Sequence, residues 1–253
     1  MGFNSVEILL NFNTFGFLRE GCRLLKPGLI MRPDDQDDPE YESDLVSVST
    51  LNEIAGGDYW QAIIDQYYET HDFKSAEEAL SLAYSVKLKE HFRYVLNMPI
   101  KTKLTNIPKY RIIHGTSHPD GLILMADTMN RRWMEFKRQQ QGGQHEMAFV
   151  WEMPDYNLST QPIPPIETAI QECVSGRLEL KSMLACVFDQ TGIRYSRSDI
   201  IDCLKRLEAS GNVSVERTPE LTNTGRKRTA WDHDSKDYKV FINRSNQWQQ
   251  NLL

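Results

Sequence analysis

The chain has 253 residues, 40% of them hydrophobic, and a formal net charge of −6 at pH 7. That length is enough for one large domain or two small ones, and no run of about 18 apolar residues predicts a membrane span. Because residues 166–253 carry nearly equal numbers of basic and acidic side chains, contact with nucleic acid would have to come from a local basic patch.

The first predicted element is a strand over Val6–Phe12. Apart from Glu7 it is apolar, which is typical of a strand buried on both faces of a parallel or mixed sheet. A short helix within Phe15–Leu29 follows. The acidic segment Arg32–Asp44 lacks the Gly and the terminal Glu of a calcium loop, so we expect a solvated loop and no metal site.

Residues 52–114 are predicted to form two helices and then two strands. Asp58 is placed to cap the first helix, and Ser75 with Glu78 forms a capping-box pattern in the second. Pro99 lacks an amide hydrogen, which favours an edge position for the first of these strands. The predicted elements are a helix within Asn52–Thr70 that begins near the Gly56–Asp58 break, a helix over Ser75–Phe92 and strands over Tyr94–Lys103 and Tyr110–His114.

A polar turn over His114–Gly121 separates this last strand from an amphipathic helix. Apolar residues recur at helical spacing along Leu122–Phe136. His114, His118 and Asp120 are candidate catalytic residues, because histidine is the usual general base near neutral pH. The alternative is structural, with His118 building the turn and His114 hydrogen-bonded inside the sheet.

The last third is predicted to contain three helices and a hairpin, the arrangement of a winged helix-turn-helix domain. Ser196 is placed to cap the third helix, with Asp199 at its N3 position. The proline-rich stretch Gln161–Pro165 favours a stiff linker, so we predict domains over 1–145 and 166–253 joined by a linker over 146–165. The predicted elements are helices over Ile166–Val174, Leu180–Phe188 and Ser196–Ala209 and strands over Val213–Arg217 and Tyr238–Ile242.

Basic residues of this last domain mark a candidate surface for double-stranded DNA. A recognition helix and a basic wing would meet the phosphates of a duplex. Acidic residues such as Asp202 and Asp234 dilute the charge of both elements, so docking to a protein partner is the alternative. The candidate residues are Arg194, Arg197, Ser198 and Lys205 on or beside the helix and Arg226, Lys227 and Arg228 on the wing.

The four cysteines do not form a CxxC pair. Three of them occupy apolar positions of predicted helices in the last third. We therefore expect free thiols in the core of a cytoplasmic protein rather than a metal site or a disulfide framework. The residues are Cys22, Cys173, Cys186 and Cys203.

Two segments resemble a known family, the bacterial three-Cys-motif partner proteins (TcmP). Ile112–Gly121 (IIHGTSHPDG) is similar to the family's strand and "hydrophobic–x–(A/G)–(T/S)–x–H–P–x–G" turn, and Met125–Met129 is similar to its "M–x–D–x–M" helix step. Val6–Asn13 (VEILLNFN) is similar to its "E–(V/I)–L–(L/I)–N–F" strand. The last third is similar to the winged-helix domain that closes these proteins.

The resemblance implies an α/β fold, part of a class I methyltransferase-like mixed sheet followed by a winged helix. The family's glycine-rich "D–x–F–A–G–P–G" turn is missing from this sequence. We therefore expect no cofactor for the chain alone, and S-adenosylmethionine only together with a missing N-terminal half. Asn11 and Asn13 end the first strand where such sheets present ligand groups, so they are candidate ligand-binding residues.

Three functions stay open. The first is a non-catalytic accessory protein that associates with nucleic acid in the bacterial cytoplasm. The second is a methyltransferase-like enzyme that needs an N-terminal half-domain polypeptide. The third is a docking adaptor for the radical S-adenosylmethionine three-Cys-motif protein that the family name implies. In each case we expect the first strand to be covered by another polypeptide or by a second copy in a homodimer, and we expect no membrane partner.

Overall fold

The computed structural model describes residues 6–27, 46–104, 106–140, 163–233 and 235–245. They form two compact units, an N-terminal unit over Glu7–Gly115 and a C-terminal unit from Thr116 onward. Each unit combines helices with a small antiparallel sheet, so the predicted α/β class is confirmed.

The sheet of the N-terminal unit places its last strand in the middle. Its order is β1-β3-β2, so β2 lies at an edge, as Pro99 predicts. The three helices and three strands expected in this unit are present, close to their predicted bounds. The elements are β1 Glu7–Phe12, α1 Thr14–Leu25, α2 Val48–Ala55, α3 Trp60–Thr70, α4 Phe73–Leu88, β2 Tyr94–Ile100 and β3 Tyr110–Thr116.

Strand β1 is more exposed than its apolar sequence predicts. It lies at the other edge of the sheet, and its side chains alternate between exposed and partly buried, ending at the buried Phe12. Leu9 is 60% exposed. The prediction of burial on both faces is therefore wrong, because successive side chains of an edge strand point to opposite faces and only one of the two is covered here.

Two of the predicted helix caps are wrong. Helix α3 begins after Tyr59 without a side-chain cap, so Asp58 does not cap it. Helix α4 begins earlier than predicted, and Asp72 caps it by accepting a hydrogen bond from the backbone amide of Ser75 at 3.1 Å. The short helix α2 was not predicted as a separate element; it ends at Gly56, whose φ of 69° is the left-handed conformation that glycine adopts readily.

A buried ion pair crosses the core of the N-terminal unit. Glu77 on α4 and Arg111 on β3 are 0% and 2% exposed. The guanidinium of Arg111 donates to both carboxylate oxygens, Nε to Oε1 at 2.8 Å and Nη2 to Oε2 at 2.5 Å. Thr14, at the start of α1, donates its hydroxyl to Oε1 at 2.7 Å. These polar groups tie α1, α4 and β3 together in a core that also contains large apolar side chains such as Trp60 and Ile113.

The C-terminal unit follows the order helix, helix, strand, helix, helix, strand, strand. Its sheet has the order β4-β6-β5, with both pairs antiparallel and with Val213 opposite Arg244 and Leu178 opposite Ile242. The three helices and two longer strands predicted for the last third are confirmed within a few residues. The elements are α5 Pro119–Gln140, α6 Ile166–Cys173, β4 Leu178–Glu179, α7 Leu180–Thr191, α8 Arg197–Ala209, β5 Val213–Thr218 and β6 Lys239–Arg244.

Helix α5 belongs to the C-terminal unit. Its buried residues include Leu122, Ala126, Met129 and Trp133, and it packs against α7. The predicted first domain, in contrast, runs to residue 145 and includes this helix. Most of the predicted linker 146–165 lies outside the described residues, so the linker stays a prediction.

The apolar core of the C-terminal unit contains a disulfide. Cys173 at the end of α6 and Cys186 in α7 are bonded, at a sequence separation of 13 and with Cα atoms 5.9 Å apart. Cys22 and Cys203 are free and buried, and burial raises the pKa of Cys22 to about 11. The prediction of free thiols is therefore right for these two and wrong for Cys173 and Cys186, which the packing of α6 on α7 brings together.

Candidate nucleic-acid interface

Helix α8 presents one face to the core and the other to solvent. Ser196 caps it, and Asp199 completes the predicted capping box by accepting from the backbone amide of Ser196 at 2.8 Å. The inward face carries Ile200 and Leu204, both 0% exposed. The predicted contact residues Arg197, Ser198 and Lys205 are exposed, so α8 has the amphipathic form that a recognition helix requires.

Helix α5 fixes the turn that leads into α8. Asn130 is 5% exposed, and its Nδ2 donates to the carbonyl oxygens of Ile193 at 2.8 Å and Arg194 at 3.3 Å. Asp127 Oδ1 accepts from the backbone amide of Arg197 at 2.9 Å. The first amides of a helix have no partner within the helix, so Asp127 satisfies one of them from a different helix.

The same carboxylate holds an arginine that sequence reasoning missed. Asp127 Oδ2 accepts from Arg131 Nη2 at 3.0 Å, and the Arg131 side chain is 75% exposed. Arg131 and the backbone of Arg197 therefore bind one carboxylate group. The Asp127–Arg131 spacing of four residues signals a helix surface pair, but nothing local in the sequence connects that pair to α8.

The other predicted cations of the helix region are partly engaged. Arg194 Nη1 donates to the carbonyl of Ile163 at 3.4 Å, and Arg197 Nη1 lies 3.5 Å from His233 Nδ1. Lys205 pairs with Asp202 at 2.8 Å. The middle of α8 is therefore close to neutral, and positive charge concentrates at its N-terminal end.

Within the connection between β5 and β6, residues 221–228 form a hydrogen-bonded turn that displays the three predicted wing cations. The amide of Arg226 donates to Thr222 Oγ1 at 3.1 Å, and Gly225 has a φ of 74°. Arg226 is exposed, and its side chain has no hydrogen bond or ion pair with a described residue. Lys227 lies 3.4 Å from Glu220, whereas Arg228 donates to the carbonyl of Leu221 at 3.2 Å and lies over the Tyr238 ring.

These positions suit contacts with phosphate oxygens. Guanidinium groups bind phosphate through paired N–H donors and stay charged at any physiological pH. Surface ion pairs such as Asp127–Arg131 contribute about 0–1 kcal/mol to stability. A phosphate group can therefore displace the Asp127 carboxylate from Arg131. We call Arg131, Arg194 and Arg197 the α8 cluster. This cluster and Arg226 on the wing are the groups best placed for contacts with phosphate.

The candidate catalytic histidine His114 is buried in β3, in the N-terminal unit. It is 2% exposed, and its Nδ1 has no hydrogen-bond partner among the described residues. Burial lowers the pKa of His114, and the carboxylate of Glu7, 4.0 Å from Nε2, opposes that shift. His114 is therefore neutral near pH 7.

His118 and Asp120 lie at the start of α5, in the C-terminal unit. His118 Nδ1 accepts from the backbone amide of Asp120 at 3.3 Å, which is a helix-capping contact. Both carboxylate oxygens of Asp120 lie within 3.0 Å of Lys181 Nζ on α7. These contacts give both residues a structural role in attaching the start of α5.

The candidate ligand residues Asn11 and Asn13 are both exposed. Asn13 caps α1 by accepting from the amide of Gly16 at 2.8 Å. A side chain at Gly16 would meet the Asn13 amide at 2.7 Å, so the small residue at this position accommodates the cap. Asn11 lies within β1, on its exposed face.

Among the described residues there is no cluster of three or more metal-ligating side chains. The same part of the chain contains no helix with the length and apolar run of a membrane span. The acidic segment 32–44 lies outside the described residues. No family model, curated protein or solved structure matches the chain, so the resemblance to three-Cys-motif partner proteins is carried by the sequence motifs and stays a prediction.

Proposed function

We propose that this chain is a non-catalytic accessory protein, similar to a three-Cys-motif partner, that associates with double-stranded DNA through the C-terminal unit. The observation that carries the proposal is the α8 cluster, in which the Arg131 guanidinium on α5 and the backbone amide of Arg197, the first residue of α8, bind the same carboxylate of Asp127. A phosphate backbone is the partner that such a cluster fits.

The order of elements supports a winged helix. From α6 to β6 the chain runs helix, strand, helix, helix, strand, strand, and the last two strands pair antiparallel around the turn that displays Arg226. In a winged helix-turn-helix domain the last helix of this series enters the major groove. Helix α8 is the last helix of the series in this chain.

The N-terminal unit supports the methyltransferase-like half of the proposal. Strand β3 returns between β1 and β2, as expected for a final strand that inserts antiparallel into such a sheet. The edge position of β1 and the exposed Leu9 support a partner strand, from an N-terminal half-domain or from a second copy. S-adenosylmethionine binding is assigned only to a complex that includes that half.

One observation favours a docking adaptor as the second candidate. Lys205 pairs with Asp202, and Arg206 lies 3.9 Å from Glu167, so the outer face of α8 beyond its first turn is nearly neutral. Neutral polar faces suit protein partners better than phosphates. A radical S-adenosylmethionine protein with a three-Cys motif remains the partner that the resemblance implies. A cytoplasmic location is part of the same proposal, although the disulfide removes one of its supports.

Duplex binding by the full chain tests the proposal. A fragment that starts at residue 166 would lack α5 and with it Asp127, Asn130 and Arg131. We expect fluorescence anisotropy to show weak binding that is equal for two unrelated short duplexes. Arg197→Gln should flatten the dependence of log K on log salt by about 0.9, the value of one phosphate contact.

Arg177→Gln is the matched control. Arg177 is exposed and paired with Glu216 in the same unit, but it is not part of the α8 cluster or the wing. Its slope should equal that of the wild type. Absence of duplex binding at low salt, or equal slopes for Arg197→Gln and the wild type, would show that the C-terminal unit does not bind duplex phosphates.

A further inference from the structure

The carboxylate of Asp127 joins two members of the α8 cluster. One oxygen accepts from the backbone amide of Arg197 and the other from the guanidinium of Arg131, at 2.9 Å and 3.0 Å. The Asp127 side chain is 22% exposed, whereas that of Arg131 is 75% exposed. An anion from solvent can therefore reach Arg131 without moving the backbone of α8.

A phosphate oxygen and a carboxylate oxygen are the same kind of acceptor for a guanidinium group. A backbone phosphate near the start of α8 would compete with Asp127 for Arg131. It would also meet the negative charge of the carboxylate. Asp127 thus lowers phosphate affinity in two ways, while its contact with Arg197 holds the helix in place.

We propose that Asp127 sets the affinity of this surface for nucleic acid. In the free protein Asp127 holds Arg131, and on duplex binding Arg131 passes from the carboxylate to a backbone phosphate. This inference rests on the proposed function and adds the residue that limits it. Arg131 thereby becomes a phosphate contact supplied by α5, outside the last third where the sequence places the interface.

A second ion pair on α5 provides a comparison. Arg132 Nη1 lies 2.9 Å from Glu135 Oε2, with side chains 71% and 50% exposed. Glu135→Gln and Asp127→Asn each remove one negative charge from α5 and release one arginine from a carboxylate. Of the two acidic residues, only Asp127 accepts from the amide of Arg197, so the pair of variants separates a local effect from a change in net charge.

Asparagine keeps an oxygen that can accept from the Arg197 amide, so Asp127→Asn should fold and melt like the wild type. We expect it to bind a short duplex about two- to threefold more tightly at low salt. This gain corresponds to the free energy of one exposed ion pair. Its salt slope should stay close to that of the wild type, because Arg131 contacts a phosphate in both complexes. Arg131→Gln should flatten the wild-type slope by about 0.9 and reduce the gain of Asp127→Asn in the double variant.

Retention on heparin, a sulfated polyanion, separates this inference from the proposed function. One outcome is that the full chain fails to bind duplex DNA while Asp127→Asn still elutes from heparin later than Glu135→Gln. That result would support the role of Asp127 and would reject DNA as the ligand. Duplex binding by the wild type with equal affinities for Asp127→Asn and Glu135→Gln would overturn the role of Asp127. So would a gain in the Asp127→Asn, Arg131→Gln double variant, relative to Arg131→Gln, as large as the gain of Asp127→Asn alone.

Discussion

The two units stabilise their cores in different ways. The N-terminal unit buries a charged pair and several polar side chains, and the C-terminal unit buries few polar groups and adds a disulfide. The buried polar residues of the N-terminal unit are Thr14, Glu77, Ser81, Ser85, Asn97, Arg111 and His114, and those described in the C-terminal unit are Thr116, Asn130 and Thr191.

This difference determines how each unit responds to change. A buried polar group needs its partner, since loss of one member leaves the other desolvated without compensation. An apolar core tolerates conservative exchange more readily, and a disulfide stabilises by restricting the unfolded chain. We therefore expect the N-terminal unit to be sensitive to single polar substitutions and to pH, and the C-terminal unit to be sensitive to reduction.

The largest expected effect is at the buried ion pair. Glu77→Gln removes the carboxylate that Arg111 binds through two N–H donors. Breaking a buried pair from one side costs about 3–5 kcal/mol, and hydrogen exchange should show this loss in the β2 and β3 amides. The exposed neighbour Glu78→Gln is the control and should leave their protection within about 0.5 kcal/mol of the wild type.

The double variant Glu77→Met, Arg111→Met sharpens the same comparison. Apolar replacement of both partners is often neutral or stabilising, so this variant should be more stable than Glu77→Gln. Equally small losses of amide protection in Glu77→Gln and Glu78→Gln would show that the Glu77–Arg111 ion pair does not stabilise the N-terminal core.

A smaller effect is expected from the disulfide, and it should fall on the C-terminal unit. Closing a loop of this length, 13 residues in sequence separation, contributes about 3 kcal/mol. Reductant should lower the protection of α6 and α7 amides and leave β2 and β3 unchanged. Alkylation in denaturant checks the bond directly, with the two free cysteines reacting before reduction and all 4 cysteines after it. Four reactive thiols before reduction would show that Cys173 and Cys186 are not bonded.

The smallest effect concerns pH in the N-terminal unit. The pKa of His114 is lowered from 6.5 by burial, so the unfolded chain takes up a proton there before the folded chain does. The contribution of neutral His114 to the free energy of unfolding is complete above pH 6.5. It is lost as pH falls toward the lower pKa that His114 has in the folded chain. His114→Gln should reduce this decline in the free energy of unfolding, and the exposed His91→Gln should not. Parallel pH profiles for wild type and His114→Gln would exclude His114 as the cause.

Elements with strong local signals could be predicted from the sequence. Helix α8 carries its capping box and its apolar stripe within 14 residues, Ser196–Ala209, and both are confirmed. The cap of α4 was misplaced because Asp72 and Ser75 are both good caps, and only the structure shows that Ser75 donates to Asp72. Strand β1 was predicted to be buried because an apolar run reports hydrophobicity and not position in a sheet.

The candidate site could be predicted only in part. Arg197 and Arg226 follow from an amphipathic helix and a basic turn, and both are exposed. Arg131 could not be predicted, because its link to α8 passes through Asp127, 70 residues before Arg197. The Cys173–Cys186 bond likewise depends on how α6 packs against α7, which no local pattern specifies.

The attachment of α5 also has a consequence for the order of folding. Its hydrogen bonds to the turn before α8 join residues 63, 64 and 70 positions apart. Such non-local contacts form late, because closing a long loop costs entropy before any contact compensates for it. During synthesis the N-terminal unit can complete its sheet at Thr116, whereas α5 leaves the ribosome well before the turn that it binds. Until then its apolar stripe has no α7 to cover it, which leaves this helix open to chaperones and to aggregation during synthesis.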